Sequence, residues 1–113
     1  MVHLVPDQVF IAYFLCELKK RNIKKIDVRY IGTFIIIANH FLPRKSGDIY
    51  VYIGDVNSIE SFFKRDSNIG YIKKEILYIN HNITINNIKD KFLKKVNPSI
   101  IHSFEKAMEY MDM

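Results

Sequence analysis

The chain has no tryptophan, one cysteine, three prolines and four glycines in 113 residues. With only Cys16 present, an intramolecular disulfide is excluded. The thiol, set among Phe14, Leu15 and Leu18, reads as a small buried hydrophobe. His3, His40, His81 and His102 are scattered, none within four residues of another or of Cys16, so the spacing of a zinc half-site is missing. Gly32 and Gly54 are isolated, which leaves no glycine-rich phosphate loop. Asp7, Asp27, Asp48, Asp55 and Asp90 occur singly, so no local spacing pairs two carboxylates for acid–base or metal chemistry. The expectation is a non-enzymatic protein with no catalytic residues, metal or cofactor.

Long apolar runs are also lacking. Val9–Cys16 falls well short of the roughly 20 residues of a membrane span. Asp7 precedes it, Glu17 ends it, and neither a basic leader nor a small-residue cleavage site accompanies it. A cytoplasmic protein without stable membrane insertion is expected. Apolar residues still make up 49% of the chain, with seven Tyr and eight Phe, which excludes a disordered tail and supports one domain spanning 1–113.

What the chain does have is a lopsided charge. Residues 1–45 hold eight Lys and Arg against three Asp and Glu, whereas residues 46–113 hold nine of each, so the whole +5 belongs to the first part. Lys19, Lys20, Arg21, Lys24, Lys25 and Arg29 lie close together, and Arg44 and Lys45 sit in a turn farther on. Cations gathered on one surface bind phosphates and make affinity salt-dependent without choosing a sequence. The alternative for the same residues is a solvated helix end. His40 lies near the basic turn.

Local patterns place the elements. Pro6 and Asp7 before an apolar stretch, and Lys19-Lys20-Arg21 after it, predict a helix over 7–21. It is apolar nearly all round, so it is either central to the core or half of a dimer interface built on Phe10, Tyr13 and Phe14. Alternation of Ile26, Val28 and Tyr30, continuing into β-branched Thr33 and Ile35–Ile37, predicts a strand. Residues 43–48 read as a turn and Ile49–Ile53 as a second strand closing at Gly54-Asp55, together an antiparallel pair. Asn57 and Glu60 signal a helix start, and Ile69–Ile79 reads as another helix, with a strand at Ile76–Ile79 as its alternative. Thr84 caps a helix through Lys95, and Asn97 with Pro98 starts the last one. The fold class is therefore α+β: a hairpin or small sheet packed with an N-terminal helix and about three C-terminal helices.

Two further features bear on function. Tyr50 and Tyr52 share a strand face and suit either base stacking or cross-strand packing. The last two helices form a helix-turn-helix or a plain hairpin, and Ser99, His102, Ser103, Lys106 and Glu109, expected outward, include no arginine for reading bases.

The order Leu18-Lys19-Lys20, then Gly32-Thr33-Phe34, then Pro43-Arg44 with Gly47 is similar to that of the bacterial histone-like DNA-binding proteins of the HU and IHF type, over about 40 residues. That resemblance implies an intertwined dimer with Pro43, Arg44 and Lys45 on a DNA-gripping arm. The leading expectation is a small DNA- or RNA-binding accessory protein, a homodimer, using Lys19, Lys20, Arg21, Lys24, Lys25, Arg29, Arg44 and Lys45. The rival is a protein-interaction or assembly module, including an inhibitor of a nucleic-acid-binding enzyme.

Overall fold

The computed structural model describes residues 1–54 and 57–113. Its first helix, α1 (Asp7–Lys20), forms where the end signals placed it, with Asp7 in the first turn and Lys19 and Lys20 in the last. Every residue from Val9 to Leu18 is buried, which makes α1 the axis around which the other elements pack. Of Phe10, Tyr13 and Phe14, expected either in the core or at a partner interface, the two phenylalanines are fully buried in the protein's own core and Tyr13 is 9% exposed.

Strand β1 (Val2–Pro6), which local pattern did not reveal, precedes α1. It pairs in parallel with β4 (Asp48–Ile53), from Val2 beside Ile49 to Pro6 beside Ile53. The two-residue β3 (Arg44–Lys45) pairs antiparallel with β4 across the Ser46-Gly47 turn, where Gly47 takes φ 95°. This first sheet has the order β1-β4-β3. The expected end of β4 at Gly54-Asp55 falls partly outside the described residues.

The strand expected to run from residue 26 to 37 stops early, as β2 (Lys25–Asp27), and gives way to helix α2 (Arg29–Phe41). Two local facts outweigh the β-branched composition. The Asp27 carboxylate accepts the Arg29 backbone N–H at 2.9 Å, which turns the chain into a helix start. Ile31, Phe34, Ile35 and Ala38 then fall at helical spacing and are all buried. β4 therefore has β1 and β3 as neighbours instead of residues 33–37.

Helix α3 (Ser58–Arg65) follows as expected, but residues 69–79 form a hairpin, β5 (Gly70–Lys73) and β6 (Ile76–Ile79), in place of the expected helix. The strand alternative at Ile76–Ile79 is the one realised. The turn residues Lys74 and Glu75 both take positive φ, 50° and 65°, the backbone of a tight two-residue hairpin turn. With β2 they make a second, antiparallel sheet of order β2-β6-β5. A Cβ at Gly70 would stand 2.7 Å from the Tyr78 carbonyl oxygen, so glycine is what lets β5 close on β6.

Thr84 and Asn87 form a reciprocal capping box for the short α4 (Ile85–Ile88), which runs on as a π-helical turn, Lys89–Leu93, packed on α1. Asn97 accepts from the Ser99 N–H to start α5 (Pro98–Met111), which lies along α2. Among the described residues, then, five helices and two three-stranded sheets make the α+β fold. Its centre is aromatic: Phe10 and Phe104 lie 4.8 Å apart, Phe14 and Phe34 4.9 Å, and Phe34 and Phe104 5.7 Å. No helix among the described residues is long and apolar enough to cross a membrane.

Candidate nucleic-acid interface

The eight cations singled out in the sequence have different occupations. Lys20 and Arg21 each reach Glu17 at 3.0 Å. Burial pushes the Glu17 carboxyl up, but hydrogen bonds from Arg21 and Lys20 and their charges outweigh it and hold the group below its ordinary value. Lys19 donates to the Asn80 carbonyl at 3.3 Å, tying α1 to the loop after β6. Arg29 forks onto Asp27, with Nη2 2.8 Å from Oδ2, and that hydrogen bonding lowers the Asp27 pKa. Arg44 Nη2 donates to the Asn39 carbonyl at 3.1 Å, so its guanidinium satisfies the C-terminal end of α2.

Lys24, Lys25 and Lys45 are exposed, and among the described residues no carboxylate pairs with any of them. The basic residues are also divided between the two sheets. Arg44 and Lys45 belong to the first, whereas Lys24 and Lys25 lead into and open the second.

On the second sheet the register brings Lys25 beside Tyr78, and Tyr78 beside Tyr71, in one cross-strand row. The two rings stack with centroids 5.1 Å apart and planes 15° from parallel. Tyr71 is 58% exposed, so one face of this pair is open to solvent. Two residues along, the same face carries Asp27, Ile76 and Lys73. The alternate row, Ile26, Leu77 and Ile72, turns inward, with Leu77 fully buried. That inward row holds the tyrosines outward, because a one-residue slip would expose Leu77. Beside the pair lies an open hollow of about 500 Å³ lined by Lys24, Gly70, Tyr71, Tyr78 and His81. Flat aromatic faces beside ammonium groups are the chemistry that stacks unpaired bases while contacting phosphates.

Other expected site features are absorbed by packing. Tyr50 stacks on His3 at 4.6 Å, and Tyr52 meets Phe10 edge-on at 5.0 Å. Ser103, expected outward, is buried and donates to the Phe41 carbonyl at 2.9 Å. α5 therefore has α2 as its packing partner and does not stand out as a recognition helix. Gly32-Thr33-Phe34, on which the histone-like resemblance turns, lies inside α2. Cys16 is 1% exposed and burial pushes its thiol up to about 11, which makes it a poor nucleophile. Among the described residues no group of three His, Cys, Asp or Glu is placed to hold a metal ion.

Sequence reasoning passed over Tyr71, Lys73 and Tyr78. Their signal was the period-two pattern Tyr71-Ile72-Lys73 and Ile76-Leu77-Tyr78 around Lys74-Glu75, masked by a turn with no glycine or asparagine. No family model, curated protein or solved structure matches this chain.

Proposed function

We propose that this protein is a non-enzymatic, cytoplasmic nucleic-acid-binding accessory protein whose contact surface is the outward face of the second sheet. Single-stranded DNA or RNA lies across β2, β6 and β5, with bases on Tyr71 and Tyr78 and phosphates against Lys24, Lys25 and Lys73. The observation that carries this reading is the cross-strand row Lys25, Tyr78 and Tyr71, with its stacked rings facing solvent. Base–aromatic stacking contributes about 1–3 kcal/mol per base and tolerates any sequence. Lys19, bonded to the Asn80 carbonyl after β6, adds positive field, Lys20 and Arg21 share the one Glu17 carboxylate and Arg29 is offset by Asp27, while Arg44 and Lys45 stand on the other sheet.

The test is a binding titration of labelled single-stranded and duplex oligonucleotides at about 50 and 200 mM salt. Single strands should bind more tightly than duplex, with affinity falling steeply as salt rises. Tyr71→Ala should weaken single-strand binding roughly 10- to 100-fold without unfolding an exposed site. Lys24→Ala with Lys25→Ala should flatten the salt dependence by a slope of about 1.4. Absent or salt-independent binding by the folded protein would overturn the proposal.

A further inference from the structure

A hollow of about 400 Å³ opens where α1, the π-helical turn and α5 meet, a volume within the ~300–1,000 Å³ range of small-ligand sites. Its floor is largely apolar, made by the Tyr13 ring, Cys16, Leu93 and Ile101. Along α1, Tyr13, Glu17 and Lys20 follow at helical spacing, so Tyr13 and Lys20 stand at opposite ends, about 10 Å apart along the axis. The π turn supplies another wall. Closed by i→i+5 hydrogen bonds, it brings Lys94 round beside Lys89, positions that an α-helix would set about 140° apart.

The two ends differ in chemistry. Tyr13 is 9% exposed, yet no described residue hydrogen-bonds to its hydroxyl, which is left to the hollow it lines. Buried hydroxyls are ordinarily bonded, so this one is a ready contact for a polar ligand. Burial first, then the charges of Glu17 and Glu105, push the phenol up and keep it a donor. Tyr13 and Glu105 thus offer a donor and a carboxylate acceptor at one end. At the other, the charges of Lys89, Lys20 and Lys19 act on the Cys16 thiol and are opposed by Glu17. Glu17 is itself held by Lys20 and Arg21. Among the described residues Lys89, Lys94, Asp90 and Glu105 have no ion-pair partner, so the hollow keeps free charge of both signs.

We propose that this hollow binds a nucleoside monophosphate, with its base at the Tyr13–Glu105 end and its phosphate against Lys20 and Lys89. The pairing edge of every nucleobase sets an acceptor beside an N–H donor, the complement of a hydroxyl beside a carboxylate. The apolar floor suits the flat body between the two ends. A simple organic acid would leave Tyr13 and Glu105 unmatched, and an amino acid, with its two charges adjacent, would not reach both ends. Asp90 at the rim opposes a longer and more highly charged phosphate chain. The hollow shares no residue with the outward face of the second sheet, and the inference does not rest on the nucleic-acid reading.

A chemical-shift titration of the isotope-labelled protein with AMP, CMP, GMP and UMP, each to about 5 mM, tests it. At least one should bind one to one with a Kd of about 10–100 µM. Its nucleoside and ribose 5-phosphate, each lacking one end, should bind at least ~10-fold more weakly. Tyr13→Phe keeps the ring and its stack on Phe34, and should weaken nucleotide and nucleoside about tenfold while leaving ribose 5-phosphate unchanged. Lys89→Ala should weaken the nucleotide about tenfold and leave the nucleoside unchanged. Should Tyr13→Phe fail a circular-dichroism check of folding, Glu105→Gln, at an exposed position of α5, tests the same end. Tyr71→Ala should leave nucleotide binding as in wild type. No saturable binding of any of the four would overturn the proposal. Wild-type affinity in the folded Tyr13 and Lys89 variants would overturn it too, as would loss of binding in Tyr71→Ala, by placing the nucleotide elsewhere.

Discussion

The two sheets follow the same rule on their inner sides and opposite rules on their outer sides. In both, alternate residues turn inward to the aromatic core built around α1. Outward, the first sheet shows Val2, Leu4, Ile49, Val51 and Ile53 with Arg44 at one edge, whereas the second shows Lys25, Asp27, Tyr71, Lys73, Ile76 and Tyr78. A strand of period two has only one set of positions free to vary once the core set is taken. What fills that free set decides whether the face repels water or keeps it. The apolar face gains by meeting another apolar face, while the tyrosine–lysine face stays solvated and gains by meeting flat rings and phosphates.

The largest effect should come from breaking what the two faces share. Phe10 is fully buried and touches both Tyr52, beneath the first sheet, and Phe104. Phe10→Ala should cost about 3–5 kcal/mol. If one core supports both sheets, far-UV circular dichroism and tyrosine fluorescence should give coincident denaturation curves in wild type and variant alike. Separate transitions would mean that the sheets are independent units and that their contrast has no common frame.

A smaller effect should separate them. Gly70→Ala forces a Cβ against the Tyr78 carbonyl at 2.7 Å and disturbs only the second sheet. The expected cost is about 1–3 kcal/mol in urea denaturation, with oligonucleotide affinity reduced. An oligonucleotide affinity equal to that of wild type in the folded variant would contradict the assignment of the contact to the second sheet.

The smallest effect concerns Glu17 on the shared helix α1. Its folded-state pKa lies below the ordinary 4.5 because the hydrogen bonds from Arg21 and Lys20 win over burial. A depressed carboxyl stabilises the fold at neutral pH, and that stability is lost as pH falls through the folded-state pKa. The urea midpoint should therefore drop more between pH 7 and pH 3 for wild type than for Glu17→Gln. The difference should be alike whether read from circular dichroism or from tyrosine fluorescence, since α1 belongs to the one core that both sheets share.

Particular residues show where local reading worked. Asp7 and the Lys19-Lys20 pair bound α1, Asn97 with Pro98 starts α5, Thr84 caps α4, and Gly47 turns the chain into β4; each acts on backbone groups within a few residues. Reading failed where β-branched composition competed with helical spacing, at Ile35–Ile37, and where Lys74 and Glu75 adopted positive φ without the residues that usually announce it. Of the site, Lys24 and Lys25 were legible as part of a basic cluster, while Tyr71 and Tyr78 were not, because the hairpin that pairs them was read as a helix. The other cations were visible as charges but not as bonded charges, since Glu17, Asp27, Asn39 and Asn80 had yet to be placed beside them.

By itself, then, the sequence determined a folded α+β chain, an N-terminal helix apolar nearly all round, the cap residues and a positive charge concentrated before residue 46. The tertiary structure alone decided that β1 pairs with a strand some 47 residues away, that Phe10, Tyr13 and Phe14 are core, and which residues share each open face. The reason is one of range. Caps, turns and periodicity are short-range effects written in neighbouring residues, whereas strand pairing and the facing of side chains arise from contacts that exist only after distant segments have met.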